Sequence, residues 1–192
     1  MAENDNFQSA ASMPKIVEDY RDYIPPRCVR MLVEDLLKTV PPSYLMGLQT
    51  IILTNQAAQP RNKKQQKVWS RNRKIRLVDA LGYYSPATRS ARATIHLNID
   101  NIVKHTHPGE LGTPVLRYDP LARVLYHEIG HHIHAEHNPT YQGKENVAED
   151  WSKRLSQSFY RTRYWYFYLL ADSVRFLTKL SRSIGRRIRS VT

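Results

Sequence analysis

The sequence predicts an α+β fold, and three observations support this. Residues 25–42 repeat apolar side chains at helical spacing between two Pro-Pro pairs, which is typical of a packed helix. Residues 45–55 are apolar and β-branched and end in turn-forming residues, which indicates a core strand. After Pro139 the chain has no proline and is predicted to be helical. We therefore expect an N-terminal helix, a short mixed sheet and a long C-terminal helical region.

The 192 residues are enough for one ordinary domain with a core, with length left over for an arm or a tail. Residues 1–14 are polar, small and unpatterned, so we expect a disordered arm. The domain itself is expected over residues 15–160. Residues 161–192 combine eight basic side chains with an apolar stripe, which predicts a basic amphipathic helical tail.

The composition of the chain bears on its location and on its possible partners. The single cysteine, Cys28, excludes an intramolecular disulfide and a thiolate zinc cluster, and we expect a reducing, cytoplasmic location. The opening residues do not form a secretory signal, and no run of 18 apolar residues predicts a membrane span. The formal net charge of +12 predicts attraction to polyanions such as nucleic acid or an anionic membrane surface.

A strongly basic segment follows the first strand. Residues 60–76 contain eight basic side chains and no acid, and we interpret them as a solvated loop. The alternative is a polyanion-binding loop in which Trp69 stacks on a base, so nucleic acid is a candidate partner here.

Residues 82–100 predict two short strands separated by a turn. Thr94 to Ile99 alternate polar and apolar side chains like a half-exposed strand, and we expect this Ile95 strand to lie at an edge of the sheet. His96 is then a surface residue of that strand. Residues 104–120 are punctuated by glycine and proline and are expected to form a connection.

The stretch from Leu125 to His137, LYHEIGHHIHAEH, contains the pattern H-E-x-x-H, from His127 to His131. Asp119 and Pro120 form a good helix start, and the apolar residues after them follow helical spacing. Four residues on a helix rotate through a full turn plus roughly 40°, so both imidazoles of the motif lie on one face. Two ring nitrogens can therefore bind one ion.

The residue types of the motif suit hydrolysis by a metal ion. Neutral imidazole is a good zinc ligand, and a zinc ion with three protein ligands keeps a position for water, whose pKa falls to about 7. Glu128 projects about 100° around the helix from His127, where it can approach that water without binding the metal. Glu128 is therefore the candidate general base.

The residues leave the third metal ligand open among His137 and the acids Glu145, Glu149 and Asp150. The spacing to His137 resembles the metzincins, in which a glycine lets the chain turn before the third histidine. Here that position is His134, and a residue with a side chain is strained at positive φ. That family also has a methionine turn after the motif, whereas all four methionines precede it here.

Residues 144–155, KENVAEDWSKRL, place two acids four apart on one face of a second helix. Together with H-E-x-x-H this resembles the gluzincins, in particular the smallest members and the phage-repressor-cleaving metallopeptidases, whose second helix reads E-x-x-A-D/N-x-aromatic-A. The matching positions, with departures at the third and the last, are Glu145, Ala148, Glu149, Trp151 and Ser152. The resemblance covers roughly residues 80–160.

The gluzincin resemblance implies a zincin-like fold and a ligand set. It implies that Glu145 is the third zinc ligand. It also implies that Glu149 orients His127 or His131 by a hydrogen bond without binding the metal itself. It also implies a strand above the H-E-x-x-H helix that binds substrate as an added strand.

Several other residues are candidates for lesser roles. A gluzincin-type site often adds a tyrosine or histidine that stabilises the oxyanion, and the nearest candidates are Tyr141 and Tyr160. His132, His134 and His137 lie off the metal face or beyond its last useful turn, so we expect them to be exposed or to form hydrogen bonds.

The sequence therefore predicts a zinc-dependent peptidase that hydrolyses peptide bonds in a protein or peptide substrate, with Zn²⁺ as its cofactor. The alternative is a nucleic-acid- or membrane-associated protein with a structural or regulatory metal site. It is motivated by residues 60–76 and by the basic C-terminal helix, which can pack on the domain, cover the active site or contact an anionic membrane or nucleic acid.

Overall fold

A computed structural model describes residues 13–60, 65–70, 73–114, 116–137 and 144–166 of the chain. Two compact units are present, Met1–Ser156 and Gln157–Thr192. The predicted arm up to residue 12 and the tail beyond Tyr166 lie outside the described residues. Within the described part of the chain, no helix is long and apolar enough to cross a membrane.

The centre of the first unit is a four-stranded mixed sheet. In spatial order its strands are β1 (Lys15–Asp19), β2 (Leu48–Thr54), β6 (Ala93–Asn98) and β5 (Gly82–Ser85). The pairs β1–β2 and β2–β6 are parallel, whereas β5 runs antiparallel to β6. The predicted α+β class with a mixed sheet is confirmed.

The prediction that the Ile95 strand is an edge strand was wrong. Ile95 lies in β6, where it pairs with Ile51 of β2 on one side and with Tyr84 of β5 on the other. Polar and apolar residues alternate in β6 because its two faces differ in burial, and such alternation does not report whether a strand has one neighbour or two. The edge beside β6 is β5.

The basic segment also departs from the prediction of a loop. Lys67–Ser70 (β3) and Arg73–Arg76 (β4) pair antiparallel as a separate two-stranded sheet. Val68 and Ile75, two β-branched residues within the run of charge, are paired in this register.

Five α-helices are present among the described residues: α1 (Val29–Lys38), α2 (Ile99–Lys104), α3 (Pro108–Gly112), α4 (Asp119–His137) and α5 (Lys144–Arg163). The N-terminal helix is therefore confirmed. The expected connection over residues 104–120 instead contains α3, which begins at Pro108 where the proline presets the helical φ angle. A short 3₁₀ turn, Leu116–Tyr118, leads into α4.

The core lies where α1, the sheet and α4 meet. Its largest fully buried aliphatic side chains include Leu32 and Leu36 of α1, Ile51 and Leu97 of the sheet, and Leu125 of α4. Each such side chain contributes roughly 1.5–3 kcal/mol by leaving water. The Tyr126 hydroxyl donates to the Leu36 carbonyl oxygen at 3.0 Å and so links α4 to the end of α1. The helix containing H-E-x-x-H is therefore fixed by packing.

Candidate metal centre

His127 and His131 lie one turn apart on the same side of α4. Their ring centroids are 4.8 Å apart and the ring planes are nearly perpendicular, at 88°. Both side chains are only about a fifth exposed, at 18% and 20%. The helical spacing therefore does what the sequence predicted, because it places two imidazole nitrogens side by side at the protein surface.

Glu145, at the start of α5, supplies a carboxylate to this pair. Its two oxygens lie 3.5 Å from Nε2 of His127 and 3.5 Å from Nε2 of His131. One ligand atom from each of the three residues lies within 4.8 Å of the others, so the group could hold a metal ion. In a tetrahedral zinc site with bonds of 2.0–2.1 Å, neighbouring ligand atoms are about 3.3–3.4 Å apart. The two carboxylate–imidazole distances of 3.5 Å are close to that spacing, while the three ligand atoms as a set lie within the wider limit of 4.8 Å.

A close approach between the two helices brings Glu145 to the histidines. Gly130 of α4 faces Ala148 of α5, and a Cβ atom on Gly130 would lie 2.7 Å from the Ala148 Cα and 2.8 Å from its carbonyl oxygen. Such distances are shorter than van der Waals contact, so the crossing requires glycine at this position. Ala148 is fully buried on the opposite side of the contact. The Gly130–Ala148 contact thus sets the position of Glu145.

Glu149 lies one turn beyond Glu145 and faces the other nitrogen of His127. Its Oε2 is 3.8 Å from Nδ1 of His127, and its Oε1 is 3.7 Å from Nζ of Lys153. The first distance is longer than a hydrogen bond, but the carboxylate is on the side of the ring opposite the three-residue group. A carboxylate at this place orients a metal-binding imidazole and raises its basicity.

Glu128, the candidate base, is buried between α4 and the edge strand β5. It is 6% exposed, and the backbone amide of Tyr84 donates a hydrogen bond to its carboxyl group. Burial, together with the negative charge of Glu145, raises the pKa of Glu128 to about 8. Gly82 makes room for this contact, because a Cβ atom there would lie 2.8 Å from Val124 Cγ1 and 3.3 Å from Glu128 Cγ.

The donor set fits a zinc ion in its chemistry as well as in its spacing. Burial, with His127 as the next contribution, lowers the pKa of His131 to about 4. The ring is therefore neutral at pH 7, which is the form that binds a metal. Two imidazole nitrogens and one carboxylate oxygen are a ligand set that catalytic zinc sites use.

The structure does not bring the other candidate ligands into this group. α4 continues as a helix through His134 to His137, and Nδ1 of His137 bonds to the Ile133 carbonyl oxygen of its own helix at 3.0 Å. Asp150 is exposed and outside the three-residue group. His134 is buried, so of the two alternatives in that expectation the exposed one does not apply to it.

The two tyrosines proposed for the oxyanion remain predictions. Tyr141 lies outside the described residues. Tyr160 belongs to the second unit, where its ring lies 5.4 Å from that of Phe159 and 6.0 Å from that of Tyr164.

Sequence reasoning missed the residues that surround Glu128. Gly82 and Tyr84 were assigned only to a short strand, and no local pattern indicates that this strand contacts the H-E-x-x-H helix. The only signal was Gly82 itself, since a glycine at the start of a strand often marks a close approach of another backbone or side chain.

Comparison of the chain with protein-family models, curated proteins and solved structures finds no match.

Proposed function

We propose that the protein is a zinc-dependent peptidase of gluzincin type. His127, His131 and Glu145 would hold the ion, Glu149 would orient His127, and Glu128 would be the general base. The observation that supports this is the convergence of two helices on one ligand group, with a buried carboxyl group from the same motif close enough to feel the charge of Glu145.

The roles follow from what each side chain can do. Bound zinc lowers the pKa of water and polarises a carbonyl group. Glu128 is positioned to accept a proton from the attacking water and to pass it to the leaving amine, as a general base followed by a general acid does. With a pKa of about 8 the Glu128 carboxyl group would be mostly protonated at pH 7, so its role as a base requires the positive charge of a bound cation, which favours the ionised carboxylate.

We also propose a zincin-like arrangement in which the substrate binds along β5. This strand has β6 as its only neighbour in the four-stranded sheet, and it contacts Glu128 through Tyr84. A peptide that adds to the open edge of β5 forms main-chain hydrogen bonds beside the candidate base. The proposed position replaces the Ile95 strand, which is enclosed on both sides.

Peptide hydrolysis and zinc content test the proposal together. We expect one zinc ion per chain, and cleavage of casein or a peptide library that a chelator abolishes and zinc restores. Glu128→Gln should lose about 10²- to 10⁴-fold in rate and keep its zinc, because it removes a proton acceptor without removing a ligand. Glu136→Gln, an exposed acid of the same helix, is the matched control and should cleave at the wild-type rate.

Two results would contradict this proposal in different ways. One zinc ion per chain without cleavage of any peptide removes the peptidase and leaves the metal site. Cleavage that persists at full rate in Glu128→Gln, with zinc present, removes Glu128 as the base.

The β3–β4 hairpin favours nucleic acid association as a second candidate function. Lys67 pairs with Arg76, and Lys74 lies two residues from Arg76, so alternation along the strands places the three basic residues on one face. All three are exposed, and Arg76 also forms an ion pair with Asp79, which leaves Lys67 and Lys74 as the residues to test. A two-stranded ribbon fits the major groove of duplex DNA, and its cations would contact phosphates.

Salt-dependent binding to duplex DNA tests this second function. We expect Lys67→Gln combined with Lys74→Gln to reduce the slope of log affinity against log salt by about 1 to 2. Each phosphate contact that is lost lowers the number of counterions released on binding. Lys15→Gln combined with Lys104→Gln removes the same charge from exposed positions elsewhere and is the control. Equal slopes for the two double variants would exclude the hairpin as the contact surface.

A further inference from the structure

His132 follows the metal-site histidine His131 directly in the sequence but lies in a different environment. It is 1% exposed, and both of its ring nitrogens have hydrogen-bond partners. Nε2 lies 2.8 Å from the carbonyl oxygen of Met46, and Nδ1 lies 3.2 Å from the hydroxyl oxygen of Tyr84. The ring therefore joins α4 to Met46, two residues before β2, and to the edge strand β5.

The partners determine where the protons of this network lie. A carbonyl oxygen only accepts hydrogen bonds, so Nε2 of His132 is the protonated nitrogen. In the neutral ring the other nitrogen, Nδ1, is then the acceptor. The Tyr84 hydroxyl must then donate to Nδ1, and burial raises its pKa to about 12, which keeps that proton in place. The hydrogen bonds run in one direction, from Tyr84 to His132 to Met46.

Tyr84 contacts the H-E-x-x-H helix at two points. Its hydroxyl group bonds to His132, while its backbone amide donates to the carboxyl group of Glu128. The ring of Tyr84 also packs against the ring of His132, with centroids 5.5 Å apart. Glu128 and His132 are four residues apart and thus adjacent on α4, so one strand residue spans one helical turn. Because both groups belong to one residue, the hydrogen bond to the Tyr84 hydroxyl also restrains the position of the Tyr84 backbone amide.

We propose that His132 is a positioning residue for Glu128. It accepts a hydrogen bond from the Tyr84 hydroxyl group and donates one to the Met46 carbonyl oxygen, and so holds β5 where the Tyr84 amide donates to the Glu128 carboxyl group. The catalytic meaning of this arrangement rests on the peptidase proposal, because it gives Glu128 its role as base. The third histidine of the run His127, His131, His132 therefore serves the base and not the metal.

The position of β5 in the sheet explains why the hydrogen bond between Tyr84 and His132 is needed. β5 has four residues and one neighbouring strand, so it has half the ladder hydrogen bonds of an interior strand. A short edge strand opens locally at low free energy. The bond from Tyr84 to His132 attaches this strand to a buried side chain of α4. Without it, the Tyr84 amide would lose its fixed distance from Glu128.

Amide hydrogen exchange of the full-length protein tests this inference without a substrate. His132→Gln keeps a donor that can reach the Met46 carbonyl and removes the ring acceptor for Tyr84, while Tyr84→Phe removes only the hydroxyl group. In both variants we expect exchange at the residue 84 amide to accelerate by about 2- to 10-fold, the effect of losing one hydrogen bond. The double variant should be no faster than either single variant, because both remove the same bond.

Two further readouts and a control variant separate positioning from general destabilisation. The amide of Leu97 in the neighbouring strand β6 should exchange at its wild-type rate. Zinc affinity, measured by competition with a chelator, should also be unchanged, because His132 does not bind the ion. His137→Gln, on the same helix, replaces a histidine whose Nδ1 bonds to its own helix backbone and should alter none of these quantities.

The inference is overturned if exchange at residue 84 is unchanged in Tyr84→Phe, which keeps the ring and is the variant less prone to unfold. It is also overturned if Leu97 accelerates as much as residue 84, because His132 would then stabilise the whole unit. Neither result depends on cleavage, so a failure of the peptidase proposal is distinguishable. If cleavage is found, both variants should lower kcat and leave KM unchanged.

Discussion

The two sides of α4 use the same residue types for different purposes. On one side, His127 and His131 face Glu145 of α5 and lie near the protein surface, with about a fifth of each side chain exposed. On the other side, Glu128 and His132 are almost fully buried against β5. The neighbouring element decides what each imidazole can do, since the pair beside the Glu145 carboxylate could hold a metal ion, whereas His132 beside a hydroxyl and a carbonyl group forms structural hydrogen bonds.

In the proposed site, the candidate metal ligands and the candidate base are therefore positioned by separate contacts. The Gly130–Ala148 contact positions the candidate ligands on one side of α4, here called the metal side. The close approach of Gly82 to Val124 and Glu128 positions the candidate base on the other side, here called the base side. A substitution on one side should therefore change one property and spare the other. The predictions below compare the two sides, beginning with the largest expected effect.

Removing the carboxylate of Glu145 should produce the largest change in zinc affinity. Removing a residue that only orients a metal ligand lowers metal affinity by about 10- to 100-fold, which is the loss we expect for Glu149→Ala. Glu145→Ala removes a ligand itself, so its loss of zinc affinity should exceed about 100-fold. Competition with a chelator measures both affinities. If Glu149→Ala loses more zinc affinity than Glu145→Ala, then Glu149 is the third ligand.

Adding one methyl group at Gly130 should move the two helices apart. Gly130→Ala places a Cβ within 2.8 Å of the Ala148 backbone, and overpacking of this kind costs about 1–3 kcal/mol in the free energy of unfolding. We expect zinc affinity to fall as well, because Glu145 moves with α5. Gly112→Ala has no atom within 4 Å of its added methyl and is the control. Unchanged zinc affinity in Gly130→Ala would disprove the positioning role of the helix contact.

A methyl group at Gly82 should affect the base side alone. Its closest neighbours would be the Val124 side chain at 2.8 Å and the His96 carbonyl oxygen at 3.0 Å, so β5 must shift away from Glu128. We expect a cost of about 1–2 kcal/mol in stability, measured by urea unfolding, with zinc affinity unchanged. A fall in zinc affinity equal to that of Gly130→Ala would show that the two sides of α4 are not independent.

How far the sequence predicts this site depends on the distance that each contact spans along the chain. The pairing of His127 with His131 follows from helical periodicity, so four residues of sequence are sufficient. Glu145 was assigned through a family resemblance, because helix spacing does not reveal how two helices cross. Ala148 and Gly130 set that crossing, yet small residues occur in many helices without such a contact.

The fold shows the same limit. Helices α1 and α4 are predicted by periodicity and strand β2 by its β-branched composition, but the order of strands is not, and the prediction that β6 is an edge strand was wrong. The amide of Tyr84 reaches Glu128 only because β5 pairs with β6 and lies beside α4. Contacts of this kind depend on tertiary packing between segments more than forty residues apart, and no local pattern records them.

The smallest expected effect concerns the outer end of the metal side. Lys153 lies 3.7 Å from Glu149, and both side chains are substantially exposed, so solvent screens this ion pair. We expect Lys153→Gln to change the free energy of unfolding by less than about 0.5 kcal/mol and to leave zinc affinity unchanged. Urea unfolding and chelator competition measure the two quantities. A clear loss of zinc affinity would mean that Lys153 holds Glu149 against His127, and the metal side would then extend one turn further along α5 than its ligand group.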